Sequence, residues 1–274
     1  MKKWALHFLI FMMSMLLSLH SRAFEYRLTG AGSAGMAHAS VAFPGSEALF
    51  HNPSLLSLEQ HLSVIISCES RFMLKELSLM TAGLVWPSPF GTFGGSYRQF
   101  GTGVYREELF GICYTKKLGK QFSAAIGFDY LSERLPENSK SFTALTVEGG
   151  ISAGRPGKAL IGMHVFNPVM AALELPEGKE LLPWSVRLGS AWFLTEWLIF
   201  CSELDLIKGE PVILRTGIEF RPHPEFCLRA GVSGGPLRIS AGAGLKMGQI
   251  ELIIAFSHHG YLGYTPIAGI SFVP

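Results

Sequence analysis

From about residue 62 to the C-terminus the chain alternates apolar and polar side chains, the period of a β-strand and not of a helix. Phe122, Ala124, Ile126, Phe128 and Tyr130 share one face, while Gln121, Ser123, Ala125, Gly127 and Asp129 share the other. Val212, Leu214, Thr216, Ile218 and Phe220 likewise oppose Ile213, Arg215, Gly217, Glu219 and Arg221. The same alternation runs through 225–233 and 237–246, with Arg229, Arg238 and Lys246 on the polar side.

The segments last roughly ten residues and are divided by short turn signals, as in transmembrane barrels. Those signals are Leu118-Gly119-Lys120, Pro136-Glu137-Asn138, Arg155-Pro156-Gly157, Lys208-Gly209-Glu210, Pro222-His223-Pro224, Gly234-Gly235-Pro236 and Met247-Gly248-Gln249. Leu62 to Phe272 accommodates about 14 such strands. Alternation is blurred over Glu76–Trp86 and Glu196–Asp205. The expected fold is all-β, an antiparallel barrel over 62–274.

Alternation alone does not say which face is dry. A barrel of about 14 strands is too wide for its inward side chains to fill. Glycine, hydroxyl and charge therefore belong inside, and the aliphatics belong against lipid. Composition agrees: 48% of residues are hydrophobic and 16% charged, against about 25% charged in soluble domains. Past the first 23 residues no apolar run approaches the roughly 20 residues of a spanning helix. In lipid only helices and closed barrels pair every backbone polar group. Trp86, Trp184, Trp192, Trp197, Tyr97, Tyr130, Tyr261 and Tyr264 fall near expected strand ends, as an aromatic girdle would.

Residues 1–23 read as a signal peptide. Lys2 and Lys3 precede an apolar run from Phe8 to Leu17, and Ser21 and Ala23 suit the −3 and −1 positions of a cleavage site. The implied address is the outer membrane of a Gram-negative-type bacterium, reached through the periplasm. The whole chain has 23 basic and 21 acidic residues; removing Lys2, Lys3 and Arg22 leaves 20 against 21. That balance gives no electrostatic reason to expect nucleic acid.

Residues 24–61 do not alternate, and Ser33–Ala42 and Pro53–Leu58 read as short helices. Gly32-Ser33-Ala34-Gly35-Met36-Ala37, followed by Ala48-Leu49-Phe50-His51-Asn52-Pro53-Ser54-Leu55-Leu56, resembles the start of FadL-type and PorV/PorQ-type outer-membrane proteins. In the C-terminal third, Leu214–Phe220, Leu228–Gly231, Gly242–Lys246 and Leu262–Thr265 ahead of Ile270-Ser271-Phe272 resemble the last hairpins of the PorV/PorQ group. Ser54 stands where that family usually has Ala, and Pro266 where it usually has His. The resemblance implies a barrel with its N-terminal segment folded into the lumen as a plug. It further implies either a passive channel for hydrophobic small molecules or a non-enzymatic barrel serving protein secretion or surface assembly.

The plug candidates are Gly32 and Gly35, which permit close packing, and Asn52-Pro53, which holds a tight turn of the plug or equally serves as a plain N-cap. Arg215, Glu219, Arg229 and Lys246 are the lumen-lining candidates, read with Arg221, Arg238 and Glu251 as a charge ladder that ties down the plug or, alternatively, as the lining of a polar path. Gly30–Gly35 fits G-x-G-x-x-G, but no buried strand precedes it and no βαβ unit follows, so a dinucleotide is not expected. His258 and His259 are adjacent on a strand and point to opposite faces, so they cannot share one metal ion. Cys68, Cys113, Cys201 and Cys227 lack metal-ligand spacing and read as plain strand residues. No cofactor and no catalytic grouping is expected; the expected partners are outer-membrane lipid and hydrophobic small molecules or secreted proteins.

Overall fold

A computed structural model describes residues 27–103, 105–135, 141–175 and 178–274. The expected signal peptide, residues 24–26 of the plug and the Pro136-Glu137-Asn138 turn lie outside the described residues. The strands are β1 (Ser63–Ser70), β2 (Ser78–Ser88), β3 (Gly91–Phe100), β4 (Arg106–Lys117), β5 (Phe122–Arg134), β6 (Ser141–Arg155) and β7 (Ala159–Phe166). A short hairpin follows, β8 (Ala172–Leu175) with β9 (Gly178–Leu181). Then come β10 (Ser185–Thr195), β11 (Leu198–Ile207), β12 (Ile213–His223), β13 (Phe226–Ser233), β14 (Arg238–Met247), β15 (Ile250–His259) and β16 (Gly263–Phe272).

All but β8 and β9 close into one antiparallel barrel of 14 strands. Closure is made by β1 on β16, from Val64 opposite Phe272 to Glu69 opposite Ile267. No barrel edge is left open, which removes the unpaired backbone groups that make sheet edges costly in lipid. Burial follows the alternation. On β13, Cys227, Arg229, Gly231 and Ser233 are buried and Phe226, Leu228, Ala230 and Val232 are exposed. The outward aliphatics form a belt that includes Ile112, Leu145, Ile161, Leu214 and Ile254. All four cysteines are free and lie in strands, with Cys113, Cys201 and Cys227 facing inward and buried.

The connections sort into two ends. At the turn end lie the tight β2–β3, β4–β5, β6–β7, β10–β11, β12–β13 and β14–β15 links, with Ser63 and Phe272; the other links form the loop end. Trp86 with Phe93, and Trp197 with Phe220, cluster at the turn end. Tyr261 and Tyr264 stand exposed at the loop end.

Inside sits the plug, with α1 (Ala31–Gly35), η1 (Ser46–Phe50) and η2 (Pro53–Leu58), the last two being 3-10 turns. The helix expected over Ser33–Ala42 is cut short. Ala37 and His38 take φ of 53° and 60°, the left-handed region. The backbone groups beyond them go to barrel side chains instead: Arg215 donates to Ala37 O, and Glu203 accepts from the N–H of Ser40 and Val41. Leu49, Phe50, Leu55 and Leu56 bury against Ile65, Val85, Leu160 and Ala191, at about 1.5–3 kcal/mol for each large side chain.

The β8–β9 hairpin was not foreseen. It folds inward at the loop end, where Leu173 and Leu182 pack on Leu28, Leu109, Leu131, Ala144 and Phe166. Asn167, in the left-handed region at φ 53°, pins it. Its side chain accepts from Thr146 Oγ1 (2.6 Å) and Ala171 N (2.8 Å) and donates to Leu182 O (3.0 Å).

Candidate functional site: the plug and its two cavities

The plug packs closely against glycines of the barrel wall. Met36 packs on Gly217 and Gly231, Gly35 on Gly242, Ala31 on Gly269, and Val41 on Gly162 and Gly189. A Cβ on Gly162 or Gly231 would fall well inside 3.0 Å of plug backbone, at Val41 O and at Met36 C respectively. These glycines are needed for close approach rather than for φ.

Of the sequence candidates, Asn52 makes the most contacts. Completely buried, it donates to Val41 O (2.8 Å) in the plug and Ile151 O (3.2 Å) in β6. It accepts from Ser54 N (3.3 Å) and Ser54 Oγ (2.7 Å), so it also caps η2, with Pro53 in the first position. Gly32 lies in the angle between Glu47 and Arg229, and Gly35 lies against Arg229 and Gly242. Arg215 bonds Asp205 at 3.1 Å and Ala37 O at 3.3 Å. Glu219 accepts from Arg229 at 2.8 Å and Arg221 at 3.2 Å, and Arg229 reaches Glu251 at 3.6 Å. Lys246 is different: it is exposed on the last turn of β14 at the turn end, with no contact to the plug among the described bonds.

Three anchors were not singled out in the sequence. Arg187 and Glu203 are fully buried on β10 and β11, and their bond is at 2.8 Å from Nε and 2.6 Å from Nη2 to Oε1. Arg187 also donates to the His51, His38 and Ser40 oxygens at 3.3 Å each. Glu47 caps the N-terminus of α1, accepting from Gly32 N and Ser33 N at 2.9 Å each, where unpaired N–H groups favour an anion. Burial pushes the Glu47 carboxyl up, and the two N–H groups and Arg229 offset part of that.

A cavity lies on each side of the plug. The loop-end cavity, about 230 Å³, is lined by charge: Arg27, Arg71, Arg215 and Arg238 with Glu69, Asp205 and Glu210, and by His38 and His259. The turn-end cavity, about 370 Å³, mixes Glu47, Glu219, Glu251, Arg221 and Arg229 with Phe43, Pro44, Ile199 and Ile253, and is reached by His51. Burial, reinforced by Arg215 and Arg187, holds His38 well below the usual imidazole range. Burial and Arg187 do the same to His51.

Strand pairing is continuous beside the plug. Among the described residues the register shifts of the barrel fall at Phe193/Thr195 and Phe220/His223, both at the turn end. No family model matches the chain, and no curated protein sequence matches it. Solved structures do. The TodX toluene transporter of Pseudomonas putida superimposes with a TM-score of 0.67 at 11% identity, over 92% of this chain and 99% of that one. The monoaromatic hydrocarbon channel CymD gives 0.65 at 13% identity, over 91% and 98%. A FadL homologue of Pseudomonas aeruginosa gives 0.60 at 11%, over 89% and 97%.

The chain shares the fold of these structures. At such identities the likeness is one of architecture, and solute chemistry has to be argued from this chain's own lumen.

Proposed function

We propose that the protein is a passive outer-membrane channel, closed by its plug, for hydrophobic small molecules. The observation that carries this reading is a closed barrel with an outward aliphatic belt, enclosing a plug that has a cavity on either side. The solute class is supported by the toluene transporter and hydrocarbon channel that share the fold, and by the apolar wall of Phe43, Pro44, Ile199 and Ile253 in the turn-end cavity. Unbroken pairing beside the plug favours exit past the plug over a sideways gap in the wall. The test is uptake of toluene and a fatty acid into liposomes carrying the refolded barrel. Uptake that rises in Asn52→Ala supports the reading; no uptake of either by both proteins rejects it.

A second reading, a PorV/PorQ-type barrel in secretion or surface assembly, is favoured by two features of the loop end. Its cavity carries seven charged side chains among a lining that also holds Leu28, Phe72, Ile207, Ile213 and Ile267, and its loops expose Met73, Leu74, Val169, Met170, Tyr261 and Leu262. Co-purification of secreted proteins from native membranes, with no lipophile uptake, is the outcome that selects it.

A further inference from the structure

The two cavities approach each other across the plug segment that carries Ser33, His38 and Ser40. His38 lines the loop-end cavity and His51 lines the turn-end cavity, and their rings stand 6.1 Å apart between centroids. Ser33 belongs to the turn-end cavity, yet its hydroxyl lies 3.1 Å from His38 Nδ1. That hydrogen bond and the ring contact join the two linings, beside the backbone bond from His38 N to Ser33 O (2.8 Å) and the bond from the Ser40 hydroxyl to His38 O (3.3 Å).

We infer that the lumen is an axial path for small hydrophilic solutes, ions and small polyols, gated by the His38 and His51 side chains while the plug stays docked. This goes beyond the lipophile reading and does not depend on it.

The backbone at both gate positions is fixed. Arg187 bonds the carbonyls of His38 and His51, and Glu203 clamps the N–H of Ser40 and Val41. The rings are not fixed in the same way. Neither nitrogen of His51 has a hydrogen-bond partner, although the residue is 1% exposed. The His38 ring is held by one hydrogen bond, to Ser33 Oγ at 3.1 Å. Each ring has an adjoining cavity to turn into, so opening needs side-chain rotation and no breakage of the plug's anchors.

The lining selects the solute. On the loop side stand Arg215, Arg238, Glu69 and Asp205; on the turn side stand Glu219, Glu251, Arg221 and Arg229. Both signs occur throughout, so the path solvates ions of either charge and neutral polyols. With the plug docked, a lipophile crossing at the two histidines would meet charged groups on both sides, so lipophile passage is left to the displaced plug of the reading above.

The test is potassium chloride conductance of the purified barrel in planar bilayers, for wild type, His38→Ala/His51→Ala and His38→Phe/His51→Phe. A closed state that opens only in a minor population leaves the wild type nearly silent, so removing the rings raises mean conductance by about tenfold or more. The phenylalanine pair keeps the ring volume and stays at the wild-type level. Folding is checked by heat-modifiable gel mobility, and plug docking by protection of residues 27–62 from proteinase K. A folded alanine pair with wild-type conductance overturns the inference. So does a phenylalanine pair that conducts as freely as the alanine pair, or conduction that appears only with loss of plug protection. Absence of both toluene and fatty-acid uptake would reject the lipophile reading and leave this conductance result standing.

Discussion

Glu203 lies 163 residues from Ser40 in sequence and accepts its backbone N–H at 2.9 Å. The same oxygen accepts from Val41 N at 2.8 Å, while the other oxygen is held by Arg187. One carboxylate thus ties the wall to the plug and to a buried guanidinium. Such a group is costly to remove from one side only, since what remains is an unpaired buried charge.

The first prediction concerns that anchor. Glu203→Met removes the carboxylate that faces Arg187 and leaves two plug N–H groups without their acceptor, and should destabilise plug docking by about 3–5 kcal/mol. Arg187→Met leaves the buried Glu203 carboxylate without its guanidinium and the His38, His51 and Ser40 oxygens without their donor, and should cost a similar amount. Proteinase K cleavage of the plug in folded, detergent-held barrel measures both. Wild-type protection in either variant would refute the anchor.

Asn52 gives a second prediction. Asn52→Ala removes two donors and one doubly used acceptor from a site with no access to water. The freed Val41, Ile151 and Ser54 groups should together weaken docking by about 1–3 kcal/mol for each group left unsatisfied. Asn52→Asp keeps the cap on Ser54 but places a carboxylate against the two carbonyls, and should be worse than alanine. The urea midpoint for loss of plug protection orders the three proteins.

The wall glycines give a third. Gly162→Ala puts a methyl onto Val41 O, the same carbonyl that receives Asn52, and backbone cannot yield as a flexible side chain can. Strand pairing does not involve that methyl. The variant should keep its heat-modifiable barrel and lose plug protection. A substitution at Gly119, where an added methyl meets open space, should change neither.

How much of this was legible follows from how local each signal is. A strand's alternation is carried by neighbours in sequence, so the barrel and its inward Arg215, Glu219 and Arg229 could be read directly. Asn52-Pro53 was legible because a cap is made within three residues. Glu203 and Arg187 were not, because their role exists only once the plug arrives from far along the chain, and Glu203 falls where the alternation blurs. The inward fold of β8–β9 rests on Asn167 meeting Thr146 and Leu182, again a tertiary event. Alternation also gives a residue's face but not its height, which is why Lys246, on the lumen phase, stands at the exposed rim and Arg229 at the plug.

The last prediction concerns acid. In the docked plug His38 and His51 resist protonation through burial, with Arg215, Arg187, Arg71 and Arg238 facing His38, and Arg187, Arg98 and His164 facing His51. Once undocked, both return to about the ordinary value of 6.5. Above that pH both states are neutral, and docking is at full strength with respect to these groups. As pH falls through 6.5 the undocked form takes up protons that the docked form refuses. Docking then weakens by up to about 1.4 kcal/mol per pH unit for each histidine. Glu47, whose carboxyl is raised, acts in the opposite sense, since its docked form binds a proton more readily. It is common to wild type and to His38→Asn/His51→Asn, so the difference between the two proteins isolates the histidines. Plug protection measured from pH 7.5 to 5 should fall more steeply in wild type than in the double variant. Parallel curves would mean that the two imidazoles are not what acid acts on.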